Sequence, residues 1–371
     1  MNKINRRDFL RSTAQGLAAS SVFTFLPDQV QAAESLKPSE KISFSNYPNF
    51  KFNKKGKFKI MQLADTHYVG TGKFPAGSKK AAVATNEIAN AALTNISNML
   101  DAEKPDLVIH TGDIFYGEPA KENITAILSP MAEKKIPFAV TLGNHDEEFG
   151  LSRQEVFDFI RTLPFNINTP SPEGIHGSSN NIITLSGDEG NVERIFYLFD
   201  SGRKFIETPT CYDFIRHDQI EWYCQASDYF KKKNNGKSVP SIAFMHIALR
   251  EYSDGIRDNI RILKGNNGER PGCSLYNSGL FATAVEREDI DTFVFGHDHD
   301  DDCAMWFKNK FLIYGRYSGY DSTYNNLKPA GVRLFEFTKG EKEYRSWIRL
   351  YNQHVIQDLL YPNDFFSDRI K

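Results

Sequence analysis

Cysteine is scarce in this chain, with four residues in 371 and none in a CxxC pair, which excludes a thiolate zinc cluster. Long apolar runs are also missing. The N-terminal stretch from roughly Gly16 to Leu26 is too short to span a bilayer, so no membrane span is expected in the mature protein. Charge of one sign is lacking too: 45 Lys and Arg stand against 47 Asp and Glu, for a net charge of −2. With acids and bases interspersed there is no long-range field to steer nucleic acid or anionic lipid, and no nucleic-acid-binding signal. Any anion specificity must be local. No internal repeat and no separate second domain is visible. What is present is a hydrophobic content of 40% with 13% aromatics, enough at this length to bury a large core without disulfides.

The N-terminus is set aside from fold reasoning. Arg6-Arg7-Asp8-Phe9-Leu10 precedes the apolar stretch, and Val30-Gln31-Ala32-Ala33 follows it, which reads as a twin-arginine export signal cut after Ala32 or Ala33. An amphipathic or disordered tail is the alternative. No Cys stands at the cut site, which argues against a lipid anchor. The expected organisation is a signal over 1–33, a polar leader arm over 34–56 lying across the domain, and one domain over 57–371. Export would place the protein in the periplasm, with the export machinery as a partner of the signal. An oxidising compartment would permit disulfides among Cys211, Cys224, Cys273 and Cys303. Cys273 with Cys303 is the favoured pair, and free buried thiols are the alternative.

Strand-like apolar runs at 57–64, 106–110, 138–142, 195–199, 242–245 and 292–295 alternate with helix-like ones at 82–100, 153–161 and 218–230, a pattern that predicts an α/β fold. Shorter runs at 311–314, 332–337 and 344–350 predict antiparallel strands finishing a second sheet.

Five segments place metal-ligand side chains where strand-like runs end: Asp65-Thr66-His67, Gly112-Asp113, Gly143-Asn144-His145-Asp146, His246, and Gly296-His297-Asp298-His299. Loops at the strand ends of an open α/β sheet converge on a ligand site, and scattered surface residues would not follow that rule. Carboxylate and amide oxygens combined with imidazole nitrogens suit Zn, Mn, Fe or Ni, whereas an all-oxygen set would suggest Ca or Mg. Taken together, the segments read as a two-metal hydrolase site. A lone histidine such as His246 is more often structural, and it gains weight from the company of the other four segments. His110, His176, His217 and His354 fall outside the pattern and are read as structural. Asp298, Asp300, Asp301 and Asp302 read as a solvated acidic loop, with an additional metal platform as the alternative.

The ordered set DxH, GD, GNHD, lone His and GHxH, spread over roughly 57–350, resembles the calcineurin-like metallophosphoesterase superfamily. The wording Thr-Leu-Gly-Asn-His-Asp at 141–146 and Gly-His-Asp-His at 296–299 is most similar to the purple-acid-phosphatase-like branch of fungi, plants and bacteria. The resemblance implies a four-layer αββα sandwich with two mixed β-sheets and the metals at the strand ends. It also implies two transition-metal ions (Mn, Zn or Fe), one held by Asp65, His67, Asp113 and His299, the other by Asp113, Asn144, His246 and His297. Asp113 would bridge them. A hydroxide between the two ions would be the nucleophile of a phosphoester hydrolase, with His145 meeting the phosphoryl oxygen or leaving group and Asp146 orienting the His145 ring. Purple acid phosphatases use a tyrosinate ligand from GDxxY and lack the histidine of DxH. Here both Tyr116 and His67 are present, so Tyr116 is expected to be a wall residue and the enzyme colourless.

The expected substrates are phosphorylated small molecules or phosphoproteins, and a phosphomonoesterase is favoured over a phosphodiesterase or an exported, non-catalytic binding protein. Arg250 and Arg316, with Tyr317 and Tyr320, are candidates for the substrate pocket, where arginine could grip a phosphate bidentately. Surface salt bridging is the alternative. Asn277 and Ser278 are weaker candidates for the rim.

Overall fold

A computed structural model of the protein describes residues 42–70, 86–205, 211–259 and 261–366. The expected signal and the first part of the leader arm, through residue 41, lie outside the described residues. Residues 43 onward form one compact unit. Among the described residues, no helix is long and apolar enough to cross a membrane.

One sheet contains β2 (Lys57–Leu63), β3 (Leu107–His110), β4 (Phe138–Val140), β12 (Gly331–Thr338), β13 (Tyr344–Leu350) and β14 (Val355–Tyr361), in the order β14-β13-β12-β2-β3-β4. β2, β3 and β4 run parallel, and the other three pair antiparallel. The second sheet contains β1 (Asn49–Lys51), β5 (Asn181–Ser186), β6 (Val192–Leu198), β7 (Ser241–Phe244), β8 (Ile262–Lys264), β9 (Ile290–Phe295), β10 (Ala304–Phe307) and β11 (Lys310–Tyr314), in the order β1-β5-β6-β7-β9-β11-β10-β8. It too is mixed, with β6, β7, β9 and β11 parallel.

Side-chain alternation along the strands divides the hydrophobic residues between two cores. Phe58 and Ile60, Leu107 and Ile109, Ala139, Phe335 and Phe337 face the second sheet, where they meet Ile183, Phe196, Phe244 and Val294. Their neighbours Met61, Leu63, Val108, Val140, Val332 and Leu334 face the helices α1 (Asn86–Glu103), α2 (Ala120–Glu133) and α3 (Arg153–Arg161). Both faces are buried, so these strands read as nearly continuous apolar runs. The far face of the second sheet is covered by α4 (His217–Lys233), α5 (Arg250–Asp258) and α6 (Leu280–Arg287). Trp222 meets Phe199, Tyr252 meets Phe295, and Phe281 stacks on Phe293. The result is the expected four-layer αββα sandwich. A short α7 (Asn363–Phe366) closes the described chain.

Three expectations need correction. The run at 311–314 does not join the second group of antiparallel strands: β11 lies in the eight-stranded sheet, parallel to β9 and antiparallel to β10. The end of the leader arm is a strand rather than an overlying arm, since β1 pairs in parallel with β5 and Phe50 packs on Phe58 at 5.3 Å. No disulfide joins Cys273 to Cys303, and all four cysteines are free thiols. Cys303 is buried against the Tyr252 hydroxyl at 2.9 Å, which commits it to the interior of the second sheet.

Candidate metal centre

The C-terminal ends of β2, β3 and β4 in one sheet and of β7 and β9 in the other open onto one cleft, and each of these strand ends leads into one ligand segment. Two donor groups form there. Asp65, His67 and His299 each offer an atom within 4.8 Å of the others, and so do Asp113, His246 and His297. Asp113 joins the groups, because its Oδ2 lies 3.3 Å from His67 Nε2 and 3.3 Å from His246 Nε2. Asn144 adds its Oδ1 at 3.1 Å from His246 Nε2. All seven side chains are buried.

The loops that carry Asp113 and Asn144 fit together backbone to backbone. A Cβ on Gly143 would lie 2.2 Å from both the Asp113 nitrogen and its Oδ1, and one on Gly112 would lie 2.4 Å from the Gly143 nitrogen. Only glycine permits that approach, and Gly112 also needs its φ of +94°. Asp65, His67, Asp113 and His297 all have left-handed backbones, with φ between 40° and 80°. For residues with a side chain this costs about 1–3 kcal/mol each and persists only where the surroundings over-determine it, commonly at functional sites. Arg153 braces the same region, donating to the carbonyls of Gly143 and Leu142 at 2.7 and 2.9 Å and pairing with buried Asp200.

The donor set fits cations. His246 Nδ1 donates to the Thr111 carbonyl and His299 Nδ1 to the Tyr324 carbonyl, both at 2.8 Å, leaving each Nε2 as the nitrogen turned towards the other donors, where a proton or a cation would sit, as in metal-ligating histidines. His67 Nε2 and His299 Nε2 face each other at 3.1 Å, a contact that needs a proton or a cation between the nitrogens. Among the described residues, the buried Asn144 Nδ2 and His67 Nδ1 have no hydrogen-bond partner. Electrostatics agree. Burial would raise Asp113, but His246, His145 and His67 draw it well below the usual carboxylate range. Burial would lower His246, but Asp113 and Asp65 push it up to about 9. Burial holds His67 and His297 well below the ordinary histidine range, as neutral imidazoles. The carboxylates therefore attract positive charge, and two of the imidazoles are kept free to ligate.

His145 and Asp146 take different positions. The His145 amide donates to Asp113 Oδ1 at 2.9 Å, and its ring stands beside His67 and Tyr116 with 23% of the side chain exposed at the cleft mouth. Asp146 does not orient that ring, contrary to the sequence expectation. Its carboxylate is buried and accepts from the amides of Gly143, Asp113 and Ile114 at 2.7, 3.0 and 2.8 Å. It thus ties the two ligand loops together, and burial with Asp113 nearby raises it to about 6. The partner of His145 Nδ1 is Glu148, at 2.7 Å. Tyr116 lies edge-on to His67 and His145 as a wall of the cleft.

The proposed substrate contacts are mostly engaged elsewhere. Arg316 is buried, bound to Asp302 at 2.5 Å and to the carbonyls of Leu327 and Pro329, so it cannot reach a substrate. Asn277 spends its amide on Glu251 and Gly279. Arg250 and Asn277 line a neighbouring cleft with Ser274, Tyr276 and Ser278, and none of the candidate ligands lines it. Tyr317 is buried beside His299, and Tyr320 is exposed. The acidic run is not solvated. Asp300, Asp301 and Asp302 are buried, with Asp301 accepting from the Gly268 and Glu269 amides and Asp302 from Asn266, Gln357 and Arg316. Sequence reasoning missed Glu148, Arg153, Tyr212 over His297 and Tyr324 stacked on His299. The i, i+3 spacing from His145 could have signalled Glu148. No local pattern marks the two tyrosines.

The family model described as calcineurin-like phosphoesterase matches residues 58–301. A protein of Arabidopsis thaliana named probable inactive purple acid phosphatase 29 is 29% identical over 337 residues, covering 82% of this chain and 85% of its own length. The phosphatase DCR2 of Saccharomyces cerevisiae is 28% identical over 80% of this chain and 54% of its own. Among solved structures, a dimetal phosphatase from Danio rerio is similar in fold, with a TM-score of 0.56 at 13% identity, covering 82% of this chain and 98% of its own.

Proposed function

We propose, from the premise that the chain belongs to the calcineurin-like phosphoesterase family, that it is a metal-dependent phosphomonoesterase whose centre holds two transition-metal ions, Mn, Zn or Fe. The observation that carries this reading is the equal 3.3 Å separation of Asp113 Oδ2 from His67 and His246, which makes one carboxylate common to both donor groups. Asp65, His67, Asp113 and His299 would hold one ion, and Asp113, Asn144, His246 and His297 the other. Such a pair supplies Lewis acidity at the phosphoryl oxygens and lowers the pKa of water from about 15.7 towards about 7.

The chain's own residues do the rest. Asp146 and Arg153 fix the two loops that present Asp113 and Asn144. His299 and His246 are locked in one tautomer by the Tyr324 and Thr111 carbonyls. His145, open at the mouth, meets the phosphoryl or leaving oxygen and transfers a proton there. The Arg6-Arg7 pattern supports export to the periplasm, where phosphorylated small molecules or phosphoproteins would be the substrates.

A second reading, an exported binding protein that keeps the fold without the chemistry, draws support from the name of the plant relative. Against it, every position of the ligand pattern is filled in this chain. Hydrolysis of p-nitrophenyl phosphate beside bis-p-nitrophenyl phosphate, by stripped protein reloaded with Mn, Zn or Fe, tests both readings. Monoester turnover lost in Asp113→Asn is expected. Diester preference would make it a phosphodiesterase, and no turnover by protein carrying two ions would favour the binding role.

A further inference from the structure

We propose, resting on the phosphoesterase reading above, that Glu148 is the positioning residue for His145: it fixes the tautomer and direction of the imidazole so that Nε2 serves the leaving oxygen. The usual expectation, that the neighbouring Asp146 does this, fails on geometry, since both Asp146 oxygens are taken by backbone amides.

Glu148 reaches Nδ1 at 2.7 Å, and the turn that brings it there is closed by its own amide donating to the His145 carbonyl at 3.2 Å. The other rim glutamate is occupied, because Glu147 pairs with Arg203 at 3.0 Å. An ionised carboxylate only accepts hydrogen bonds, so the shared proton belongs to Nδ1. His145 is held on its remaining sides as well: its amide is on Asp113 Oδ1, and the rings of His67 and Tyr116 stand at 5.5 and 5.2 Å. Nε2 is the ring nitrogen left for a substrate. At 40% side-chain exposure of the carboxylate, this pair contributes little to stability, and its value lies in orientation.

In the step it serves, a water oxygen forms a bond to phosphorus as the ester P–O bond breaks. The departing oxygen takes the proton from His145 Nε2, and Glu148 keeps its hydrogen bond to Nδ1–H throughout. The products are an alcohol and inorganic phosphate, and a proton from the consumed water returns to Nε2.

The need for that proton depends on the leaving group. p-Nitrophenolate departs without help, whereas a glyceryl alkoxide does not. Metal-loaded Glu148→Gln should therefore lose on the order of 10–100-fold in kcat on glycerol phosphate, the usual effect of removing the partner that orients a functional histidine, and far less on p-nitrophenyl phosphate. KM and bound metal should be unchanged. Glu148→Asp should recover part of the loss, and the double variant with His145→Asn should fall no further than His145→Asn alone. Equal losses on both substrates, additive losses in the double variant, or no loss at all would overturn the proposal. Nitrogen-15 spectra of the histidines in zinc-loaded protein read the same contact without turnover: an Nδ1-protonated His145 signal that shifts in Glu148→Gln is expected, and an unchanged signal refutes it. Protein inactive on every ester that still showed this shift would sink the phosphoesterase reading and leave the positioning role standing.

Discussion

Replacing Gly143 with alanine adds one methyl group where the two ligand loops touch. Its Cβ would lie 2.2 Å from both the nitrogen and Oδ1 of Asp113. Ordinary contact begins near 3.4 Å, so the loops must part by 3.4 − 2.2 = 1.2 Å. The backbone of Gly143 is not left-handed, and the perturbation is therefore purely steric. Overpacking of this kind costs typically about 1–3 kcal/mol, so the variant should still fold. Its effect on the centre should be far larger, because a shift of about 1 Å in a catalytic group can cost on the order of 100-fold and Asp113 serves both donor groups. The expected result is a fall of roughly 100-fold or more in kcat/KM together with fewer than two ions by elemental analysis. Gly174→Ala is the control: its φ is +76° but its Cβ meets nothing within 4 Å, so it should cost about 1–2 kcal/mol of stability without touching the ions. Gly143→Ala protein that kept both ions and full activity would refute the claim that the interlocked loops set the geometry of the centre.

Arg316→Ala should destabilise the fold by about 3–5 kcal/mol, because it leaves the buried Asp302 carboxylate unpaired, while KM of the folded fraction stays unchanged; a raised KM in a variant of normal melting temperature would return Arg316 to the substrate pocket. Titration of thiols in unreduced, denatured protein should count four per chain, and a count of two would restore a disulfide. Protein loaded with ferric iron should show no visible charge-transfer band, since Tyr116 meets His67 and His145 as a wall; a purple solution would make it a ligand.

The layers of the fold were legible because their signal is local. Buried strands such as β3 and β4 are continuous apolar runs, α3 begins with a capping box from Ser152 to Glu155, and each ligand segment sits next to the strand that presents it. What escaped was set by distant partners. Asp301 and Asp302 look like solvent-facing acids, yet the donors that bury them come from 266–269, 316 and 357. Arg316 looks like an anion grip for the same reason: its carboxylate partner is 14 residues away. β11 repeats the apolar pattern of the antiparallel strands, and only its pairing with β9 decides its sheet. Asp146 was misread because its neighbour in sequence is His145, while its hydrogen bonds go to amides 32 and 33 residues back as well as to the amide of Gly143.

The ligands come from both sheets: Asp65, His67, Asp113 and Asn144 from the six-stranded one, His246, His297 and His299 from the eight-stranded one. His67 and His299 are 232 residues apart in sequence. A chain emerging from the ribosome can therefore offer only half-sites until β9 has been made and the two sheets have docked. Ions bound by the complete set add stability as RT ln(1 + [ion]/Kd), about 1.4 kcal/mol for each tenfold excess, and that stabilisation acts across the seam between the sheets. With two ions bound, metal supply would act as a late latch on a sandwich already joined by the apolar core between its sheets, and a chelator would remove only that added increment.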